Sequence, residues 1–280
     1  MNTIMDKFNL TGKVAIVTGG PGLLGKEFCR TLAEAGATVV VADINADGVN
    51  AVATTLIKTG YHAMGVATDI TQPESVNALL EETLMAYGRL DILVNSAALD
   101  PKFDPEALAD MAKQGTVSGA FEDYPLGAWK VALDVNLTGM FLCCQAAVKP
   151  MLAQGKKGSI INICSTYGLV APDQRIYQRE DTQTTYKPVY YSVTKAGVLG
   201  LTRYLSTYYA GTEIRVNALT PGGVYNNHEE VFLKAYSART VMGRMANKDE
   251  MNGALLFLAS DASSYMTGSN LIVDGGWTAW

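Results

Sequence analysis

Along the first hundred residues, short runs of apolar and β-branched side chains alternate with longer stretches of helical spacing. Residues 13–18 (KVAIVT), 38–43 (TVVVAD), 62–68 and 90–95 (LDILVN within it) are short and carry little polar alternation. They predict strands buried on both faces, as in a parallel sheet covered by helices. Between them, residues 22–34, 47–59 and 73–87 place apolar side chains at helical intervals. Residues 159–164 (SIINIC), 214–218 and 270–273 extend the strand pattern to seven runs. This order predicts an α/β protein, a single doubly wound Rossmann-type domain over residues 1–280 with a mainly parallel, seven-stranded sheet. Right-handed crossovers would put all strand C-termini, and the ligand crevice, on one edge. Residues 99–125 and 168–188 are too long for ordinary connections and are expected to be functional loops.

Composition narrows the class. The 280 residues are 48% hydrophobic and 18% charged, which excludes a disordered chain. A net charge of −5 argues against a broad nucleic-acid-binding face. No run approaches the roughly 20 consecutive apolar residues of a membrane span, and residues 1–10 lack a secretory signal pattern. The four cysteines (Cys29, Cys143, Cys144, Cys164) and two histidines (His62, His228) are not spaced as a metal site or a disulfide framework. A cytoplasmic enzyme without a metal is expected.

Candidate chemistry begins between the first strand and the first helix, where Thr18-Gly19-Gly20-Pro21-Gly22-Leu23-Leu24-Gly25 contains Gly20-x-Gly22-x-x-Gly25. Glycines there let backbone approach a pyrophosphate, and the helix N-terminus offers unpaired N–H groups. Asp43, ending the second predicted strand, is placed to accept hydrogen bonds from the ribose hydroxyls and to repel a 2′-phosphate. NAD is therefore expected over NADP. The plainer role for Asp43 is to cap the following helix.

Tyr191-Ser192-Val193-Thr194-Lys195 puts a phenol and an ammonium one helical turn apart. Upstream stand Asn136, in Leu133-Asp134-Val135-Asn136-Leu137-Thr138-Gly139, and Ser165, in Asn162-Ile163-Cys164-Ser165-Thr166-Tyr167-Gly168. With Asp69-Ile70, Asn95-Ser96-Ala97-Ala98, Pro221-Gly222 and Asp274-Gly275-Gly276, this ordered series resembles the short-chain dehydrogenase/reductase superfamily in its compact form, over nearly the whole chain. The resemblance implies that Tyr191 is the general acid/base, Ser165 orients the substrate oxygen, Lys195 holds the nicotinamide ribose and lowers the tyrosine pKa, and Asn136 supports a water relay. A free phenol, with a pKa near 10, needs such a neighbouring cation to act as a base at neutral pH. The resemblance further implies a cofactor bed of Gly19, Gly22, Leu24, Gly25, Asp43, Asp69, Ile70, Asn95, Ala97, Tyr191, Lys195, Pro221 and Val224, and a homotetramer or homodimer. Asn95 has a plainer role as a tie between strands, and Pro221-Gly222 as a turn.

The chain departs from the family pattern at Leu23, where glycine is usual, at Ser96 and Ala98 in the Asn-Asn-Ala-Gly segment, and at Asn226, where threonine is frequent. Its glycine spacing is similar to that of nucleotide-sugar enzymes. The polar insert from Asp173 to Asp181 lengthens the Ser165–Tyr191 interval and suits a polar alcohol or carbonyl substrate such as a sugar derivative, with Arg175 and Arg179 as contacts. The segment from Leu169 to Arg175 resembles bacterial oxidoreductases of surface-polysaccharide or flagellin-sugar modification. Both long loops equally suit subunit contacts. Two alternatives stay open: a sugar epimerase or dehydratase with an internal redox cycle, and a catalytically silent cofactor-binding regulator.

Overall fold

The computed structural model describes residues 3–100, 119–155, 157–179, 182–183 and 185–280. Seven strands, β1 (Val14–Thr18), β2 (Thr38–Asp43), β3 (Ala63–Ala67), β4 (Ile92–Asn95), β5 (Lys157–Ile163), β6 (Glu213–Pro221) and β7 (Asn270–Val273), form one sheet. Its order is β3-β2-β1-β4-β5-β6-β7, and every pairing is parallel. Strand order reverses between β1 and β4, the position at which open α/β sheets bind ligands. Thr18 pairs with Asn95 and Asn95 with Asn162, so the loops after β1, β4 and β5 leave at one level.

The helices are α1 (Leu23–Glu34), α2 (Ala46–Lys58), α3 (Pro73–Tyr87), α4 (Leu126–Leu133), α5 (Met140–Ala153), α6 (Val189–Tyr208), α7 (Glu230–Ser237) and α8 (Asn252–Ala259). Successive strand residues feed opposite layers, as the period of 2 requires. Ile16 joins a cluster with Leu79, Met151 and Val198, from α3, α5 and α6. Its neighbours Ala15 and Val17 join Phe28, Leu56 and Leu258, from α1, α2 and α8. This two-sided burial is why the strands read as unbroken apolar runs.

The strands fall within a few residues of expectation, with β2, β7 and α3 matching at both ends. The largest difference is Leu126–Ala153, a 28-residue helical stretch long and apolar enough to cross a membrane by length and composition alone, 50% buried over its most apolar window. Met140, Cys143, Cys144, Ala147 and Met151 pack into the core from it. Charged Lys130, Asp134 and Lys149 break its apolar sequence, which is why counting consecutive apolar residues passes over it. Within it, Asp134–Gly139 adopts π-helical turns, an irregularity often found at functional sites. The loop at 168–188 holds a short 3-10 turn, Gln174–Tyr177, and a two-residue ribbon pairing Gln178–Arg179 with Thr182–Gln183. Residues 101–118 of the other long loop lie outside the described residues.

A polar ladder crosses this core. Asn95 Nδ2 donates to Asn162 Oδ1 at 2.9 Å, and Asn162 Nδ2 donates to Thr202 Oγ1 at 3.0 Å, joining β4, β5 and α6. Asn162 is 0% exposed, so removing its amide strands two buried partners. Asn162→Ala should destabilise the protein by about 3 kcal/mol and lower the thermal midpoint by about 5–10 °C. A melt within about 1 °C of the parent would show the ladder to be unimportant.

Candidate active site

The site is assembled where α6 crosses the end of β5. Tyr191 and Lys195 are four residues apart on α6, so both face the strand ends. Lys195 is buried, and its Nζ donates to the Ile163 carbonyl at 2.9 Å, which supplies the acceptor that an enclosed ammonium requires. Burial lowers its pKa. Ser165 follows β5, its hydroxyl accepts from the Tyr167 N–H at 3.2 Å, and it lies near enough to the Tyr191 phenol to favour the phenolate. The three residues can meet because position 168 is glycine: a Cβ there would lie 2.7 Å from the Lys195 backbone.

Two lysines approach the Tyr191 ring. Lys195 Nζ is 5.8 Å from its centroid, and Lys187 Nζ is nearer, at 4.0 Å. Lys187 is paired with Asp100. Close packing around the phenol, then the Asp100 carboxylate, push Tyr191 above the usual tyrosine range, while the Ser165 hydroxyl works the other way. Tyr191 is thus held as a neutral phenol near pH 7 when nothing else is bound.

Asn136 sits in the π-helical turns, 1% exposed. Its Oδ1 accepts from Leu99 N–H at 2.6 Å and its Nδ2 donates to the Leu99 carbonyl at 3.0 Å. Asn136 thereby fixes the residue next to Asp100.

At the β1–β4 reversal, Gly19 has φ +70°, and a Cβ there would lie 2.7 Å from the Ala97 backbone. Helix α1 begins at Gly22 with no capping side chain and no acid in its first turn. Its open N–H groups suit a diphosphate, and Leu24 and Gly25 lie in that first turn. Asp43 ends β2 beside this loop and is not the cap of α2: Asn45 is, accepting from Gly48 N–H, while Asp43 accepts from Asn45 N–H at 2.9 Å. Asp69 accepts from both the N–H and the hydroxyl of Thr71, and Ile70 is buried against Gly139. Asn95 does tie β4 to β5, but its Oδ1 is buried without a partner among the described residues. Pro221 ends β6, Gly222 N–H donates to the Val273 carbonyl, and Val224 bridges to Ala246. Asn226, expected near the carboxamide, is exposed. These residues form a bed along the strand ends that fits a dinucleotide.

Arg175 is 79% exposed at its side chain and bonded to Asp173, which also receives Arg239. The Arg179 side chain lies outside the described residues. Sequence reasoning passed over Lys187, four residues before Tyr191 in the loop leading into α6, and an aromatic cluster formed by Tyr167, Tyr177, Tyr236 and Trp277 with Phe232 against it. Tyr167 meets Tyr191 edge-on at 6.5 Å, and burial pushes its own phenol up to about 12. Lys187 lies before Pro188 and outside the helix, so its spacing of four from Tyr191 gave no signal of their contact. The aromatic residues are scattered between 167 and 277, and only the fold collects them.

Known proteins place this arrangement. A family model described as enoyl-(acyl carrier protein) reductase matches residues 23–278. The chain is 36% identical over 273 residues to cis-4-hydroxycyclohexanecarboxylate dehydrogenase of Sinomonas cyclohexanicum, covering 95% of this chain and 97% of that protein. It is 34% identical over 279 residues to D-threitol dehydrogenase of Mycolicibacterium smegmatis, covering 97% and 95%. Among solved structures, a gluconate 5-dehydrogenase of Burkholderia cenocepacia, in complex with NADP and tartrate, superposes with a TM-score of 0.84 at 30% identity, over 99% of this chain and 100% of that one. With the seven-stranded parallel sheet and near-complete coverage, these matches show that the chain belongs to the short-chain dehydrogenase/reductase superfamily of oxidoreductases.

Proposed function

We propose that this oxidoreductase interconverts a polar secondary alcohol and its carbonyl, using NAD and Tyr191 as the general acid/base. The observation that carries the reading is the convergence of Tyr191 with the buried Lys195, whose Nζ lies 5.8 Å from the Tyr191 ring and is tied to the Ile163 carbonyl, two residues before Ser165. A bound oxidised nicotinamide would supply the hydride acceptor and a positive charge near the phenol. Ser165 holds the substrate oxygen, and Tyr191 takes its proton during oxidation or returns one during reduction. Lys195 favours the phenolate through its charge and is placed to hold the nicotinamide ribose. Asn136 orders Leu99, and through it the loop that carries Asp100, beside the proton path. The glycine loop and the open start of α1 would hold the diphosphate, and Asp43 the adenosine ribose. The names of three relatives, a hydroxycyclohexanecarboxylate, a threitol and a gluconate dehydrogenase, support a small hydroxylated substrate. Polyols, hydroxy acids and sugars assayed for steady NADH formation test the reaction; labelled hydride retained in product without net NADH would favour the epimerase or dehydratase alternative.

Tyr191→Phe removes the exchangeable proton and keeps the ring, so turnover should fall about 100- to 10,000-fold with cofactor affinity little changed. Because the phenol's proton is held above the usual tyrosine range, alcohol oxidation by the parent enzyme should keep rising with pH between about pH 7 and 10, while carbonyl reduction should hold across that window and fall only above it. Near-parental turnover in the variant rejects the acid/base role.

The Asp43 carboxylate is the ground for choosing NAD, in contrast to the related gluconate enzyme, whose structure holds NADP. In a binding titration the parent should prefer NAD, and Asp43→Ala should reduce that preference by about tenfold or more. A parent that prefers NADP overturns the charge argument.

The chain is further proposed to form a homodimer or homotetramer. Val131 on α4, Phe141 on α5, and Val193, Tyr204 and Tyr208 on α6 are all exposed apolar side chains, an arrangement that suits burial against a second copy. Light scattering should return two or four times 29.9 kDa. A monomeric mass at micromolar concentration excludes this assembly.

A further inference from the structure

Outside the Ser165–Tyr191–Lys195 group, an ion pair between Lys187 and Asp100 joins the two long loops. Lys187 belongs to the loop before α6, and Asp100 to the loop after β4. The lysine side chain is 9% exposed, whereas its carboxylate partner is 55% exposed. The lysine backbone is fixed: Gln174 Nε2 donates to the Lys187 carbonyl at 3.1 Å, and Lys187 N–H donates to Gln174 Oε1 at 2.9 Å. The cation is therefore anchored and nearly enclosed, while the anion that neutralises it remains half open to solvent. Both charges stand at the reacting group. Lys187 Nζ lies over the Tyr191 ring at 4.0 Å, and the charges of Asp100 and Lys187 are both felt at His228, whose ring stacks on Phe232. Beneath them, Tyr167, Tyr177, Phe232 and Trp277 make an aromatic floor suited to a hydrocarbon ring.

An ammonium removed from water needs a counter-charge, and leaving it unpaired is strongly unfavourable. A carboxylate held by one half-exposed side chain can be exchanged for another carboxylate without leaving the lysine unpaired. We propose that Lys187 is the receptor for an anionic group of the substrate, a carboxylate carried on a ring or short chain a few bonds from the reacting carbon, and that Asp100 occupies this place when substrate is absent. The proposal rests on the reading of Tyr191 as the acid/base, because that fixes where the reacting carbon lies. It moves the anion contact from Arg175, which is already satisfied by Asp173, to Lys187.

The test measures binding apart from turnover. Calorimetry with the enzyme, alone and with NADH, compares cyclohexanecarboxylate with cyclohexanecarboxamide, which has the same ring and no charge. The parent should bind the carboxylate about 10- to 100-fold more tightly, the range of one charge-assisted contact. Lys187→Met, which keeps the apolar stem, should remove that preference, and Lys187→Arg should retain much of it. Asp100→Asn should tighten carboxylate binding, since the internal competitor is gone. A parent without preference, a methionine variant that keeps it, an arginine variant that loses it as fully as methionine, or unchanged or weaker carboxylate binding in Asp100→Asn overturns the assignment. Tyr191→Phe separates the two readings: it should lose turnover and keep the carboxylate preference. If it keeps turnover instead, the acid/base role fails while the measured Lys187 contact stands on its own.

Discussion

An ammonium can occupy a protein interior only where an acceptor has been built for it, and the rest of this site follows from satisfying that demand at Lys195. The bond from its Nζ to the Ile163 carbonyl ties α6 to the end of β5. Once that height is set, Ser165, two residues beyond Ile163, and Tyr191, one turn before Lys195, come near each other. Glycine at 168 lets the chain leaving β5 lie against the Lys195 backbone. The polar ladder from Asn95 through Asn162 to Thr202 braces the same three elements. Catalytic geometry and core stability thus share one set of contacts.

Burial acts on the phenol and the ammonium in opposite directions. It raises Tyr191 and lowers Lys195, so both are driven towards their neutral forms. Asp100 favours the neutral phenol, and the Ser165 hydroxyl favours the phenolate. A base at neutral pH therefore requires further positive charge at the site, which links proton transfer to occupation of the dinucleotide bed. The open N-terminus of α1, the close approach of Gly19 to Ala97 and the unpaired Asn95 Oδ1 all lie along that bed.

What was legible in the sequence is what depends on local or regular spacing. The strands of a sheet covered on both faces declare themselves as apolar runs, and Pro73 and Gly88 bracket α3 at its N1 and C-cap positions. Gly20, Gly22 and Gly25 mark the turn into α1, and one helical turn relates Tyr191 to Lys195. The helical stretch from Leu126 to Ala153 was harder to see, because its buried face alternates with charge and its middle is π-helical. The role of Asn45 as the cap of α2 also escaped, since Asp43 and Asn45 are equally good capping types two residues apart. Contacts between distant segments left no periodic trace: Asp100 with Lys187, 87 positions apart, and Tyr167 with Trp277.

This division between regular and irregular structure has a functional consequence. The sheet and α6 set the proposed reacting group, and relatives of this family are named as dehydrogenases of a cyclic acid and of a polyol, so the scaffold does not by itself select a substrate. Selection falls to the long loops, and here they put a charged pair beside the phenol. An ion pair whose cation is enclosed contributes little net stability, because the cost of desolvating the ammonium offsets most of the attraction. Lys187 and Asp100 are therefore weakly explained as a device for holding loops together, which an apolar contact would do as well. They are better explained as charge kept next to a site where charge has to be recognised: the fixed, enclosed lysine supplies direction, and the half-exposed aspartate prevents an empty pocket from holding an unpaired cation. Its carboxylate also favours the protonated state of Tyr191, so a bound carboxylate in the same place would hold the phenol in a similar field.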